Sequence, residues 1–160
     1  MTSVQVRSSD ATDADWVRRI LTEYWHSVKV VSRGRVHYTD RLPGFVALLG
    51  LGRVGLVTYR IEDDECELVT LNSLVEGIGV GTALISTVRS VAVANKCRRL
   101  WTITTNDNLR ALRFYQRNGF SLVATHLNAV EESRKLKPEI PLIGIGGIPI
   151  RDELELEMAL

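Results

Sequence analysis

The chain has 160 residues, of which 45% are apolar and 24% charged, a composition typical of a folded protein whose length fits one domain over residues 1–160. Its net charge of +1 gives no support for broad attraction to nucleic acid or to a membrane surface, and without a secretory signal pattern or a run of about 18 apolar residues we expect a cytoplasmic protein. The two cysteines, Cys66 and Cys97, lack the spacing of a zinc site or a disulfide framework, so we expect no bound metal.

The N-terminal half predicts a strand, a helix and three further strands. Val4 and Val6 alternate with polar residues, which favours a strand, and cap residues then precede apolar residues at helical spacing from Trp16 to Tyr24. Residues 30–42 show little periodicity and are predicted to be a helix end followed by a loop. Three β-rich runs joined by short turns then predict an antiparallel meander, over residues 45–49, 54–61 and 65–72.

The C-terminal half predicts two helices that alternate with strands, the first of which completes a β-α-β unit. The predicted elements are a helix of about 14 residues after Gly81, a strand over 100–105, a helix between Asn108 and Asn118, a strand from Phe120 to about residue 127, a loop or irregular hairpin over 138–149 and a strand over 152–160. The order β-α-β-β-β-α-β-α-β-β indicates a mixed α/β fold with a central, mostly antiparallel sheet flanked by helices.

A glycine-rich segment, Gly77-Ile78-Gly79-Val80-Gly81-Thr82, lies where a predicted strand meets a predicted helix. Backbone N–H groups and the helix dipole converge there, and glycines let an extended phosphate chain approach, so the segment predicts an anion site. A tight turn without a ligand explains the same glycines equally well. No lysine follows the last glycine, as a P-loop requires. Gly81 comes two residues after Gly79 instead of three, which argues against a dinucleotide-binding Rossmann domain.

Two motifs in this sequence resemble those of the GNAT acetyltransferase superfamily. Residues 77–84 are similar to its pyrophosphate loop, and residues 108–115, followed by Asn118-Gly119-Phe120, are similar to its second cofactor helix and the turn after it. The two motifs occur in the family's order with one strand between them. Glu76 departs from the family pattern, because Arg or Gln usually stands there and an acid beside a pyrophosphate is electrostatically unfavourable.

The resemblance implies an acetyl-CoA-dependent N-acetyltransferase that acts on a primary amine by direct attack. It further implies that the pantetheine arm pairs with a strand end, that the pyrophosphate binds backbone amides of the glycine segment, and that the second motif faces the cofactor. The implied cofactor-binding residues are Leu71, Asn72, Gly77, Ile78, Gly79, Val80, Gly81, Thr82, Asn108 and Tyr115. A non-catalytic acyl-CoA-binding or regulatory module is the alternative function.

Tyr115 is the predicted partner of the departing thiolate. It occupies the family's Phe-Tyr position, so the resemblance implies that its hydroxyl assists the leaving sulfur. Hydrogen-bond donation fits better than full proton transfer, which is uphill by roughly 2 kcal/mol from a phenol of ordinary pKa to a thiolate. The alternative role is packing against the sheet, because Tyr115 shares a helical stripe with Ala111.

Glu67 is the predicted general base, which direct transfer needs because few amines are neutral at pH 7. Strand alternation predicts that Glu67 faces the cleft together with Val69 and Leu71. Other carboxylates are candidates for the same role, namely Glu62, Glu65 and Asp40. The histidines are isolated in the sequence and are expected in surface or loop positions: His26, His37 and His126.

The sequence leaves the acceptor open. The resemblance implies that residues 30–42 and 137–151 build the acceptor pocket. A small amine, an amino-acid-like compound and a protein amino terminus all stay open as acceptors, and a homodimer stays open as the assembly.

Overall fold

The computed structural model describes residues 3–160. The strands in this range are β1 Val4–Ser8, β2 Lys29–Ser32, β3 Arg35–Tyr38, β4 Gly44–Leu49, β5 Gly52–Glu62, β6 Glu65–Ser73, β7 Arg99–Thr105, β8 Ser121–His126 and β9 Glu153–Ala159. The α-helices are α1 Ala14–Trp25, α2 Val80–Ala94, α3 Leu109–Arg117 and α4 Ala129–Leu136. Within residues 3–160 no helix is both long and apolar enough to cross a membrane.

Seven strands form one sheet in the order β1-β4-β5-β6-β7-β9-β8. Neighbouring strands are antiparallel except β6 and β7, which α2 connects as the predicted β-α-β unit. Helices α2 and α3 pack on one face, around a core that includes Leu68, Leu84 and Tyr115. Helix α1 packs on the other face, around Leu21 and Leu56. The predicted mixed α/β fold, with a mostly antiparallel sheet flanked by helices, is confirmed.

Strands β6 and β7 separate partway along their length. They pair only where residues 65–67 lie opposite residues 99–101. Just beyond this point the Thr102 hydroxyl, and not a backbone amide of β7, donates a hydrogen bond to the Leu68 carbonyl oxygen, at 2.9 Å. The carboxyl ends of two parallel strands are therefore apart, which is where ligands bind in sheets of this kind.

A β-bulge at Val69 changes which side chains of β6 share a face. The register on either side of it pairs Leu68 with Tyr59 and Thr70 with Thr58, so Val69 is an extra residue. One inserted residue exchanges the two faces of a strand. Leu71 consequently packs on the α2 side together with Leu68, whereas Glu67 lies on the α1 side. The prediction that Glu67 and Leu71 share a face is wrong for this reason.

Residues 30–42 form a β-hairpin, β2 with β3, and not the predicted helix end and loop. Its two-residue turn, Arg33-Gly34, has positive φ at both positions (50° and 72°), which is the conformation that hairpin turns favour. Alternation was hard to read in the sequence because two of the inward-facing residues are polar, Ser32 and His37.

Helix α4 was absent from the predicted order of elements. It lies between β8 and the loop that leads to β9. Its sequence does carry a helical charge pattern, with acids in the first turn, Glu131 and Glu132, and bases in the last, Arg134 and Lys135. The helix is short, and its apolar contact comes mainly from buried Val130, so the periodic signal is weak.

Candidate active site

A cavity of about 480 Å³ lies between the end of β6 and helix α3. Its wall brings together Leu71, Asn72, Asn108 and Tyr115, the predicted cofactor-binding residues outside the glycine segment, together with Gly81 of that segment. Asn108 also caps α3, because its side-chain oxygen accepts a hydrogen bond from the Ala111 amide, at 3.1 Å. The motifs that lie far apart in the sequence thus meet around one cleft.

The glycine segment lines a second cavity, of about 270 Å³, beside the first. Gly77 and Gly79 have φ of 78° and 81°, a left-handed conformation that favours glycine. Gly79 is the N-cap residue of α2, and no side chain accepts a capping hydrogen bond from the first turn of this helix. The first helical hydrogen bond runs from the Ala83 amide to the Gly79 carbonyl oxygen, at 3.0 Å. The amides that precede Ala83 are therefore available to an anion.

Gly81 has a packing role that the sequence did not indicate. A Cβ at this position would lie 2.6 Å from the ring of Phe114, so the absence of a side chain lets α2 and α3 approach each other. The remaining members of the segment differ in exposure: Val80 is buried, whereas Ile78 and Thr82 are exposed.

Glu76, the departure from the family pattern, forms an ion pair with Arg110 of α3. Both side chains are exposed, and both residues line the two adjoining cavities. Arg110 therefore neutralises the negative charge of Glu76 beside the glycine segment.

Tyr115 is buried on the inner face of α3, where its ring makes edge contacts with Phe114 and Phe120 (centroids 5.5 and 5.3 Å apart). Burial raises the pKa of its hydroxyl to about 12, although the nearby Thr102 side chain acts in the opposite direction. Because Thr102 lies just beyond the separation of β6 and β7, the hydroxyl of Tyr115 is near the point where the two strands part.

Glu67 is only 5% exposed and belongs to a buried polar network with Ser32 and His37. The Ser32 hydroxyl donates to Glu67 Oε2 at 2.7 Å and lies 3.0 Å from His37 Nε2. Because a hydroxyl has a single proton, His37 Nε2 must be the donor to Ser32. Burial raises the pKa of Glu67 to about 7 and lowers that of His37 to about 4. The expectation of a surface or loop position for His37 is wrong, since Ser32 gives its ring a buried partner.

The competing carboxylates all have arginine partners: Glu65 pairs with Arg98 and Arg99, Glu62 with Arg35 and Arg60, and Asp40 with Arg18. For Glu62, the hydrogen bonds from Arg60 and Arg35 lower the pKa to about 2, which makes it a weak base. Glu67 has no arginine within ion-pair distance among residues 3–160; its one basic neighbour at that distance is His37, whose Nε2 lies 3.7 Å away and whose ring is neutral at pH 7 because its pKa is lowered to about 4. It is therefore the best suited of the four candidates to exchange a proton near neutral pH.

We predict that the raised pKa of Glu67 makes stability depend on pH. Below pH 4.5 the side chain is protonated in both the folded and the unfolded chain, so burial carries no charge penalty. Between pH 4.5 and about 7 the unfolded chain loses this proton while the folded chain keeps it, so the free energy of unfolding should fall by roughly 3 kcal/mol over this range and then level off. Urea unfolding at pH 4.5, 6 and 8 measures the free energy of unfolding, and between pH 4.5 and 8 that of Glu67→Gln should rise by this amount relative to the parent. A difference between the two proteins that does not change with pH would contradict the raised pKa of Glu67.

A third cavity, of about 510 Å³, adjoins the first one, because Tyr24 lines both. Its wall comes from the end of α1, from β2, from α4 and from the loop before β9, which includes both segments that were expected to build the acceptor pocket. Sequence reasoning missed one residue there. Glu153 is buried in this wall and accepts hydrogen bonds from the backbone and guanidinium of Arg33, at 3.2 and 3.3 Å.

Glu153 could not be identified from the sequence, since it is one of several alternating glutamates in the last strand.

The other two histidines behave differently from His37. His26 ends α1 in a left-handed conformation (φ 68°), and His126 Nε2 lies 2.9 Å from Glu155 Oε1. Within the described range no group of three or more His, Cys, Asp or Glu side chains is placed to hold a metal ion.

Comparisons with known proteins agree with this geometry. Residues 14–120 match the model of the Acetyltransferase (GNAT) family. The chain is 41% identical over 143 residues to the uncharacterized protein YxbD of Bacillus subtilis, covering 89% of this chain and 90% of that one. Its fold is similar to an IAA acetyltransferase from Bacillus cereus (TM-score 0.75, 20% identity, 99% and 100% of the two chains). It is also similar to a GNAT family acetyltransferase from Elizabethkingia anophelis with acetyl-CoA bound (TM-score 0.72, 18% identity, 99% of each chain).

Proposed function

The chain belongs to the Acetyltransferase (GNAT) family, and we propose that it transfers the acetyl group of acetyl-CoA to a primary amine by direct attack. The observation that carries this proposal is the position of Glu67. This buried carboxyl, with a pKa of about 7, lies in the last pair of residues before β6 and β7 separate. A base at that point is suited to an amine that reaches the thioester between the two strands.

Acetyl-CoA would bind along the two adjoining cavities beside α3. The unpaired amides at the start of α2 suit its pyrophosphate, and the pairing of Arg110 with Glu76 offsets the negative charge beside them. The strand end at Leu71 and Asn72 suits the pantetheine arm, whose amides can pair with backbone groups that β7 no longer reaches. In support, the similar protein from Elizabethkingia anophelis holds acetyl-CoA.

The transfer step uses few protein groups. Glu67 accepts a proton from the bound ammonium directly or through water, the resulting neutral nitrogen bonds to the thioester carbon, and the carbon–sulfur bond breaks to give the CoA thiolate while the nitrogen loses its second proton to water. Tyr115 supports the thiolate as a hydrogen-bond donor. With a pKa of about 12, full proton transfer to a thiolate would be uphill by roughly 5 kcal/mol, so the hydroxyl keeps its proton.

The test of this function is release of CoA thiol with a panel of primary amines. We expect acetyl-CoA to be consumed with at least one amine, and the acetylated amine to be detected by mass spectrometry. Binding of acetyl-CoA without turnover across a broad panel would favour the alternative of a non-catalytic acyl-CoA-binding module.

We predict that acetyl-CoA raises the melting temperature in a dose-dependent way, whereas NAD and ATP do not, because a ligand that binds only the folded state stabilises it. Gly79→Glu should abolish this shift, since it places a charged side chain beside the amides proposed to bind pyrophosphate. Gly50→Glu is the matched control: Gly50 also has positive φ (61°) and open space around it, but it lines neither cofactor cavity. An unchanged shift in Gly79→Glu would show that the loop is only a turn.

A further inference from the structure

Lys137 is a buried lysine in the wall of the third cavity. It follows α4 directly and is 4% exposed. Its ammonium donates one hydrogen bond, to the carbonyl oxygen of Trp25 at 2.5 Å. Among residues 3–160 no carboxylate lies within ion-pair distance of it, whereas the exposed Lys135 on the same helix is paired with Glu132.

An ammonium in this position is incompletely satisfied. It has three N–H donors, and one acceptor is present. Burial lowers the pKa of Lys137, because removing a charge from water is unfavourable, although the charge of Glu139, which lies beyond ion-pair distance, acts in the opposite direction. A carboxylate brought by a ligand would supply both the missing acceptors and the missing charge.

The acidic groups of the same wall already have donors. Glu153 accepts from the Arg33 backbone and guanidinium. Asp107 accepts from the Ile145 amide at 3.0 Å and from the Thr105 hydroxyl at 2.5 Å. Lys137 therefore has unused N–H donors and a positive charge, and the group that matches both is an anion.

Trp25 sets the distance between this ammonium and the cofactor cleft. Its carbonyl oxygen accepts from Lys137, while its indole Nε1 donates to Asn72 Oδ1 at 2.8 Å. Asn72 lines the cavity proposed for acetyl-CoA. The single residue Trp25 thus contacts both the Lys137 ammonium and the cavity proposed for acetyl-CoA. A ligand that binds Lys137 and also reaches the thioester is therefore a small molecule.

Aliphatic side chains form much of the remaining cavity wall, beside polar ones that include Thr105, Asp107 and Glu153. The aliphatic members come from β2, α4 and the loop before β9, and are Val30, Val31, Val130, Ile140, Pro141, Ile145 and Ile150. Such a wall favours an apolar side chain over a polyamine or a sugar.

From this arrangement we propose that the acceptor is a free α-amino acid with an apolar side chain, whose carboxylate binds Lys137 while its amine faces the thioester. The proposal rests on the acetyltransferase function above. It separates a free amino acid from a protein amino terminus, whose first residue has an amide where the free amino acid has its carboxylate.

Calorimetry on the CoA complex tests the proposal, with L-valine, L-leucine and L-phenylalanine and their carboxamides as probes. Loss of a charged hydrogen bond in a buried site weakens binding by about tenfold to a hundredfold. We therefore expect the parent to bind at least one of these acids more tightly than its amide by about that factor. Lys137→Met should remove the preference, Lys137→Arg should retain part of it, and Lys135→Met, the exposed control on the same helix, should leave it unchanged.

Two results would overturn the inference. One is equal or tighter binding of every carboxamide by the parent, or no binding of any acid. The other is an undiminished preference in a folded Lys137→Met protein that still gains thermal stability from acetyl-CoA. If the parent fails the binding test but still releases CoA with amines that lack a carboxylate, only the proposed acceptor is wrong and the acetyltransferase function stands. If no amine gives CoA release, the acetyltransferase function itself is contradicted.

Discussion

Tyr115→Phe is expected to lower kcat by about tenfold to several hundredfold, because it removes one hydrogen bond that forms to the departing thiolate in the transition state. The ring contacts with Phe114 and Phe120 remain, so thermal stability should change little. The affinity for acetyl-CoA should also change much less than kcat. Steady-state kinetics and calorimetry on the same preparation measure both quantities.

Tyr59→Phe is the matched control for this prediction. Tyr59 is a partly buried tyrosine packed against the same core, and it lines none of the three site cavities. Its loss of a hydroxyl should leave kcat near the parent value. Acyl donors with better leaving thiols should suffer less from Tyr115→Phe, since their thiolates need less support. A kcat within about twofold of the parent would make Tyr115 a packing residue.

Glu67→Gln should give the second large loss of turnover, and its size should depend on pH. Below the pKa of about 7, the rate of the parent falls with pH because less of the base is ionised, and the rate of the variant falls by the same factor because less of the amine is neutral. The ratio of the parent rate to the variant rate is therefore constant in this range, and it has its largest value there. Above pH 7 the base is fully ionised while the neutral amine keeps increasing. The ratio should therefore fall by about tenfold per pH unit up to the pKa of the amine.

Two further variants control for the pH dependence of Glu67. Glu65→Gln removes a carboxylate of the same strand that is paired with Arg98 and Arg99, and it should not produce the break near pH 7. Ser32→Ala removes a hydrogen bond that favours the charged form of Glu67, so the rise of kcat/KM with pH should move to higher pH. A ratio of parent to Glu67→Gln that is flat between pH 6 and 9 would make Glu67 structural.

Local patterns in the sequence were sufficient for most of the fold. The meander, the glycine segment, α2 and the second helix motif are each encoded within a short window, by apolar spacing or by a cap such as Asn108. Their order along the chain also allowed the likeness to GNAT proteins to be recognised before any contact was known. The hairpin β2–β3 was missed because its buried polar residues hide the strand alternation. Helix α4 was missed because its amphipathic stretch is short, which weakens the helical spacing.

The sequence by itself determined the class of fold, the glycine segment between strand and helix, and the identity of Tyr115 and Glu67 as candidates. Only the tertiary structure decided the surroundings of these groups. Ser32 lies 35 residues from Glu67 along the chain, and Lys137 lies 112 residues from Trp25. A buried polar residue resembles an exposed one in the sequence, because its burial depends on a partner that the fold brings from far away. The bulge at Val69 acts similarly: one extra residue, set by pairing with β5, places Leu71 on the face opposite to Glu67.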